Sequence, residues 1–319
     1  MSAPAERDVV FNVVWTGTVF PYLRHFVASQ LAHSDARFRF VANGCPRDQI
    51  ELMDRWASAH PGRVVEVLDV SPTAMVAHGV ALDAVRASRD DGELFAFIDP
   101  DIAATAPFVS VFLSLLGDGC VVVTSGTEVW SDDNLVPVGH PGVAGQHFVG
   151  RDGFVFGSPH LAIYDRRALD ETTARWGVGL GSAGPELRED ARARLEEIGQ
   201  TYLVYDTAKI VNALLQADGH RLVHRDLPQL LHIGGLSHYL APSGGFVEGA
   251  DGELEPDWAR WGGEAARLDV ARFTALMLRN LCDGGPPPEI PPDADPAIVA
   301  KLELVRDAMT VLVAERGGS

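Results

Sequence analysis

Two aspartates one residue apart close the apolar run FAFIDPD, with Phe95 to Ile98 ahead of Asp99 and Asp101. Carboxylates this close repel each other, so the pair calls for a positive partner. Three chemistries fit: a pair that holds a metal, an aspartyl nucleophile beside its partner acid, or a strand-end cap for whatever follows. Capping accounts for one carboxylate and leaves the second unexplained. Two further stretches carry reactive side chains. The segment LPQLLHIGGLSH offers His232 in a turn-like Gly-Gly setting, with His238 as its rival, and an imidazole there is either a metal donor or a packed residue. In YDTAKIVNALLQADGHRL, Asp206 stands at the start of an apolar-periodic segment, where a carboxylate ordinarily serves as a helix N-cap.

The whole-chain balance narrows the choice. The 319 residues carry 44 acids against 26 lysines and arginines, a net charge of −18, and the lysines are Lys209 and Lys301 alone. Such a surface has no basic stripe for nucleic acid or an anionic membrane. Nor could such a chain hold a phosphate-rich ligand through lysines. Cys45, Cys120 and Cys282 show neither paired nor metal-type spacing, which points to a reducing compartment. No apolar run approaches the ~20 residues that span a bilayer. The expectation is a soluble, cytoplasmic protein without an integral membrane segment. The Ala, Arg, Gly and Asp richness resembles a high-GC bacterial composition.

The elements that must position these residues are legible as alternating patterns. Strands are expected at Val9–Trp15, Phe38–Ala42, Val64–Val67, Leu94–Ile98 and Cys120–Thr124, with helices at Pro21–Ala32, Arg47–Ala59, Thr73–Ala87 and Pro107–Leu116 between them. This alternation is the signature of a parallel, Rossmann-like sheet flanked by helices. In open sheets of this kind ligands sit beyond the carboxyl ends of the strands, which is where Asp99 and Asp101 fall. From residue 125 a long Gly- and His-rich stretch is expected to be a functional loop. A strand Leu161–Tyr164, a helix over RRALDETTARW and a polar helix Pro185–Ile198 follow. A short strand near 202, a helix over 207–218 and a closing strand come next. The C-terminal part reads as a helix around Pro256–Leu281, a Pro-rich linker 284–296, and a last helix. The stripe on that helix, Ile298, Leu302, Val305, Met309 and Leu312, either docks on the body or pairs with a second copy as a homodimer.

Taken in order, these segments resemble the glycosyltransferases of the GT-A fold, in particular the family 2-like inverting group. The resemblance runs from residue 9 to about 240. It is carried by WTGT after the first strand, VANGCP (41–46), EVLDV (66–70), MVAHGVALDAVRA (75–87), FIDPD, HLAIYDRRAL (160–169) and YDTAKIVNALLQADGHRL. It implies an α/β fold, a mixed sheet flanked by helices, in a domain 1–240 with a nucleotide-binding half 9–124 and an acceptor half 125–240, and a helical extension 241–319. It further implies a nucleotide-diphosphate sugar as donor, Mn²⁺ or Mg²⁺ held by Asp99, Asp101 and His232, and a small-molecule or glycan acceptor. Asp101 would ligate the metal directly, while Asp99 would reach the ribose or, through water, the metal. Nucleotide contacts would come from Thr16, Gly17, Asn43, Asp69, His78 and Asp99, with Asp206 as the base of an inverting transfer. Trp130, Asp132, Asp133, Trp176 and the segment 177–186 are acceptor-binding candidates. Two positions depart from the pattern: Tyr205 stands where the family has Glu, and His220 where it has an aromatic residue.

Rival readings have weaker neighbours. A haloacid-dehalogenase-like phosphatase also opens with a strand and DxD, but Ile102-Ala103-Ala104 follow, and no acidic pair comes after Lys209. A nucleotidyltransferase wants a Gly-rich basic N-terminal signature, and WTGTVFPYLR has no lysine. A non-catalytic binder that kept the fold stays open because of Tyr205.

Overall fold

The computed structural model describes residues 6–129, 135–136, 147–149, 155–156, 159–182, 186–199, 207–240, 246–248, 254–256, 265–290, 292 and 296–314. Its strands, in chain order, are Val10–Thr16 (β1), Arg37–Asn43 (β2), Val64–Ser71 (β3), Leu94–Ile98 (β4), Ile102–Ala104 (β5), Cys120–Ser125 (β6), Leu135–Val136 (β7), His147–Val149 (β8), Val155–Phe156 (β9), Leu161–Asp165 (β10), Arg221–His224 (β11), Leu230–His232 (β12), Phe246–Glu248 (β13) and Leu254–Pro256 (β14). The first eight helices are Phe20–Ala32 (α1), Arg47–Ser58 (α2), His78–Ser88 (α3), Val109–Leu113 (α4), Arg166–Trp176 (α5), Glu189–Glu197 (α6), Lys209–Ala217 (α7) and Leu236–Leu240 (α8). Two longer helices, Ala265–Cys282 and Pro296–Ala314, follow.

Seven strands form the main sheet in the order β11-β6-β10-β4-β1-β2-β3. The stretch β3-β2-β1-β4 is parallel, as the alternating pattern predicts. β10 departs from it, because it runs antiparallel between β4 and β6. Both faces of the sheet are covered. Phe11, Val13 and Trp15 pack with α1, α2, α4 and the last two helices, while Val14, Val41, Phe95 and Phe97 pack with α3, α5, α6 and α7. A strand buried on both faces reads as a continuous apolar run, which is why VVFNVVW and LFAFI stand out in the sequence.

The stripe on the last helix faces this core: Leu302, Val305, Met309 and Leu312 are buried within the chain. Its apolar side therefore docks on the body. Of the helix expected around Pro256–Leu281, the described part is Ala265–Cys282, while Pro256 itself lies in β14, paired with Phe246–Glu248. α3 likewise starts at His78 rather than Thr73. Asn43 Nδ2 donates to the Val76 carbonyl at 2.8 Å and its Oδ1 accepts from the Val76 N–H at 2.9 Å, which holds 72–77 as a loop ahead of the helix. The short strand expected near 202 lies outside the described residues. No described helix is long and apolar enough to cross a membrane.

At the amino ends of β1 to β3 an ionic row crosses the sheet. Arg39 is buried and donates to Asn12 Oδ1 (3.0 Å), to both oxygens of Asp91 (2.7 and 2.8 Å) and to Glu66 Oε1 (2.5 Å). Arg89 closes a second, two-pronged pair on Glu66. The carboxyl ends of the same strands are left for chemistry.

Candidate metal centre

Chain order reverses between β1 and β4, and open α/β sheets bind ligands in the crevice at that switch. Asp99 stands there, one residue beyond β4. Pro100 breaks the strand, and β5 then pairs antiparallel with β12, setting His232 opposite Ile102. Two three-residue strands thus bring His232 Nε2 to 3.4 Å from Asp101 Oδ1. Asp101 also accepts from the Leu236 N–H at 3.1 Å, and its own carbonyl accepts from the Ile233 N–H.

The antiparallel β10 supplies the other side. Its register sets Leu161 against Ile98, so His160 falls beside Asp99. The Asp99 N–H donates to the His160 carbonyl at 2.8 Å, and His160 Nδ1 lies 3.1 Å from Asp99 Oδ2. Past β6, Glu128 bridges to His232 and places Oε1 3.0 Å from His160 Nε2. α1 braces the turn from behind, since Gln30 Nε2 donates to the carbonyls of Asp99 and Ile102 and Ser29 Oγ accepts from the Ala104 N–H.

One donor atom each from Asp99, His160 and His232 falls within 4.8 Å of the other two. The two imidazole rings stand 4.4 Å apart, and both Nε2 atoms are buried without an in-line hydrogen bond, although carboxylate oxygens lie close by. Buried polar atoms are normally satisfied, so two unaligned nitrogens beside three carboxylates fit a divalent cation. A mixed nitrogen and oxygen set suits Mn²⁺ or a later transition ion better than Mg²⁺, which prefers an all-oxygen shell. Burial opposes charge here, yet the groups sustain each other. Against burial, Glu128 and Asp99 push the His160 pKa well above the ordinary imidazole value. Against burial and the repulsion of His160, Asp101 raises that of His232. Burial likewise works against the Asp101 carboxylate, but His232 and the Leu236 N–H hold its pKa below the ordinary value.

Of the expected site residues, Asp99, Asp101 and His232 come together. Asp99 belongs to the donor triad, and Asp101, nearly enclosed, lies against His232 and accepts from the Leu236 N–H. His78 joins them, with Nε2 3.6 Å from Asp99 Oδ1 and Nδ1 3.0 Å from Thr207 Oγ1. Thr16, Gly17 and Asp69 lie at the carboxyl ends of β1 and β3, with Asp69 exposed. Asn43 ends β2, but its amide is committed to Val76, so it shapes the loop that borders the crevice.

Asp206 lies outside the described residues, as do Trp130, Asp132 and Asp133. His238 sits on α8, and its side chain is outside them too. Trp176 is not a sugar platform: it is buried in the core with Nε1 donating to Asp218. The 179–181 segment is fastened to Asp83, which accepts from the N–H groups of Leu180 and Gly181. His160 and Glu128 escaped the sequence reading. Both depend on non-local pairing, and the one available signal was a polar residue directly before a wholly apolar strand, as in HLAIY.

Fold and cluster together define a class: a mixed α/β protein with an acid–imidazole centre at the topological switch of its sheet. No family model matches this sequence, and no curated protein matches it. Among solved structures it is similar to a mannosyltransferase from Pyrobaculum calidifontis in complex with GDP-Man and Mn²⁺, at 13% identity and a TM-score of 0.45, over 99% of this chain and 77% of that one. It is also similar to the galactosyltransferase LgtC in complex with donor and acceptor sugar analogs, at 12% identity and a TM-score of 0.38, over 67% of this chain and 73% of that one. A third likeness is to a nucleoside-diphosphate-sugar pyrophosphorylase from Vibrio cholerae, at 14% identity and a TM-score of 0.40, over 70% and 96% of the two chains.

Proposed function

We propose that the protein is a metal-dependent glycosyltransferase that moves a sugar from a nucleoside-diphosphate donor to a hydroxyl of a small molecule or glycan. The observation that carries this reading is the Asp99–His160–His232 cluster at the switch point of the sheet, in a chain with two lysines. Asp99, His160 and His232 would hold the cation, with Asp101 orienting His232. Bound there, a divalent cation neutralises the diphosphate and steadies the charge that builds on the leaving nucleoside diphosphate.

The protein's own residues do the rest. The crevice beside Thr16, Gly17 and the 72–77 loop receives the nucleoside, and exposed Asp69 accepts from a ring N–H of the base. His78 links Asp99 to Thr207 and so ties the donor side to the start of α7. Asp206, the residue before Thr207, takes the acceptor proton as the oxygen attacks the anomeric carbon, and a single displacement inverts that centre.

A thermal-shift panel of UDP, GDP, ADP and TDP with Mn²⁺, Mg²⁺ or chelator tests the reading, because a ligand that binds the native state raises its melting temperature. One nucleotide should stabilise the protein with Mn²⁺ and less with Mg²⁺, and the matching nucleotide sugar should be cleaved slowly to free nucleoside diphosphate. Stabilisation without cleavage or transfer would make the protein a binder only. No cation-dependent shift with any of the four would end the proposal.

A further inference from the structure

Asp226 stands two residues past β11, outside the cation cluster, yet its carboxylate collects more donors than any group within it. Oδ1 accepts from the N–H groups of Gly126 (2.9 Å) and Thr127 (3.0 Å) and from Ser125 Oγ (3.4 Å). Oδ2 accepts from Thr127 Oγ1 and pairs with His224 Nε2 at 3.0 Å, while His224 Nδ1 rests 3.0 Å from Thr124 Oγ1. Apart from His224 on β11, everything that Asp226 grips belongs to the exit of β6.

The peptide so gripped is wedged between the two cluster histidines. Gly126 has φ +111°, a conformation that L side chains rarely adopt, and a Cβ there would lie 2.8 Å from His160 Cβ and 3.6 Å from His232 Nδ1. Its carbonyl accepts from His232 Nδ1 at 2.7 Å. A carbonyl cannot donate, so Nδ1 must carry the hydrogen, and in the neutral ring Nε2 then holds the free lone pair. Nε2 is the nitrogen that faces Asp101. Two residues on, Glu128 reaches His160, and the Val129 N–H donates to the His232 carbonyl. One carboxylate just past the strand next to β6 thus fixes the loop that sets the tautomer of one histidine and carries the partner of the other.

We propose that Asp226 is a positioning residue for the metal centre: it clamps Gly126–Thr127 so that the Gly126 carbonyl locks His232 with Nε2 free to bind a cation. The inference rests on reading the cluster as a metal centre and not on any sugar chemistry. Partners of metal-bound histidines typically change metal affinity by 10–100-fold when removed.

The test uses the full chain and two readouts. In metal-free protein labelled with ¹⁵N-histidine, at a pH where the ring is neutral, long-range ¹H–¹⁵N correlations should show His232 as the Nδ1–H tautomer. In Asp226→Ala they should show a mixture. Titration with Mn²⁺ alone, followed by its free-ion EPR signal, should give at least a tenfold weaker dissociation constant for Asp226→Ala. Thr127→Val, which removes the hydroxyl's contacts to Asp226 and His224 but keeps the Thr127 N–H bond, should fall in between, and it decides the matter if the alanine variant does not fold. An Nε2–H tautomer in the wild type overturns the proposal, as does Mn²⁺ affinity within twofold of wild type in both folded variants. Should the wild type bind no Mn²⁺, the metal reading fails, and with it the role given to Asp226. Should it bind Mn²⁺ but transfer no sugar, the glycosyltransferase reading alone fails.

Discussion

Replacing Arg39 by methionine would strand a buried charge without touching the site. The guanidinium is 4% exposed and joins Asn12 on β1, Glu66 on β3 and Asp91, all at the amino ends of the strands. Methionine keeps much of the apolar stem but leaves Asp91, which is 10% exposed, without both of its charged hydrogen bonds. Glu66 keeps its two bonds from Arg89, at 2.7 and 2.8 Å. Breaking one side of a buried ion pair costs roughly 3–5 kcal/mol, and the surviving Arg89 pair argues for the lower end, about 3 kcal/mol. Urea denaturation at pH 7 should therefore move to a lower midpoint with an unchanged slope. If the penalty is the stranded carboxylate, adding Asp91→Leu to Arg39→Met should restore most of the loss. A drop below about 1 kcal/mol, or no rescue by the second change, would refute this account of the row.

The same row sets an acid limit. Hydrogen bonds from Arg89, and then from Arg39, outweigh burial and bring the Glu66 carboxyl from its ordinary 4.5 down to about 2. A group whose pKa is lower when folded stabilises the fold above its unfolded value, and that stability is lost as pH falls from about 4.5 toward 2. Solvent reaches Glu66, so its share is roughly 1–2 kcal/mol, and the acid slope should be shallower in Arg39→Met.

The remaining predictions concern the crevice. Asp99→Ala should abolish the Mn²⁺-dependent thermal shift while leaving the metal-free melting temperature within a few degrees of wild type, because this side chain is partly exposed. Asp101→Ala should lower the metal-free stability by about 1–3 kcal/mol in urea, since the buried Leu236 N–H loses its acceptor. Asp206→Asn should keep nucleotide-sugar binding in calorimetry and lose transfer by at least 100-fold; retained transfer would exclude it as the base. Gly79→Ala, whose Cβ would overlap the Leu180 carbonyl and lie 2.7 Å from Gly181 Cα, should destabilise by about 2–3 kcal/mol, read from the urea midpoint.

Local chemistry made much of the molecule legible. LFAFI and the helix over RRALDETTARW follow from runs and caps that lie within a few residues: Asp165 caps its helix by accepting from the Ala168 N–H, and Gly177 ends it at φ +64°. Asp99, Asp101 and His232 were readable because a strand end and a Gly-Gly turn announce themselves. His160 and Glu128 were not, because what brings them to the site is the antiparallel insertion of β10 and the path of the chain beyond β6. Neither leaves a period in the sequence. The later start of α3 has a similar cause, as Asn43, some thirty residues upstream, holds Val76 out of the helix.

β10 also has a bearing on how the molecule comes to exist. Because His160 stands just ahead of a strand threaded between two others, and His232 on a three-residue strand that needs β5 as its template, the cluster belongs to the finished sheet and to no fragment of it. A cation held by this cluster would be taken up only as a closing event of folding, so such an ion would reward completed molecules and offer nothing to those still half assembled.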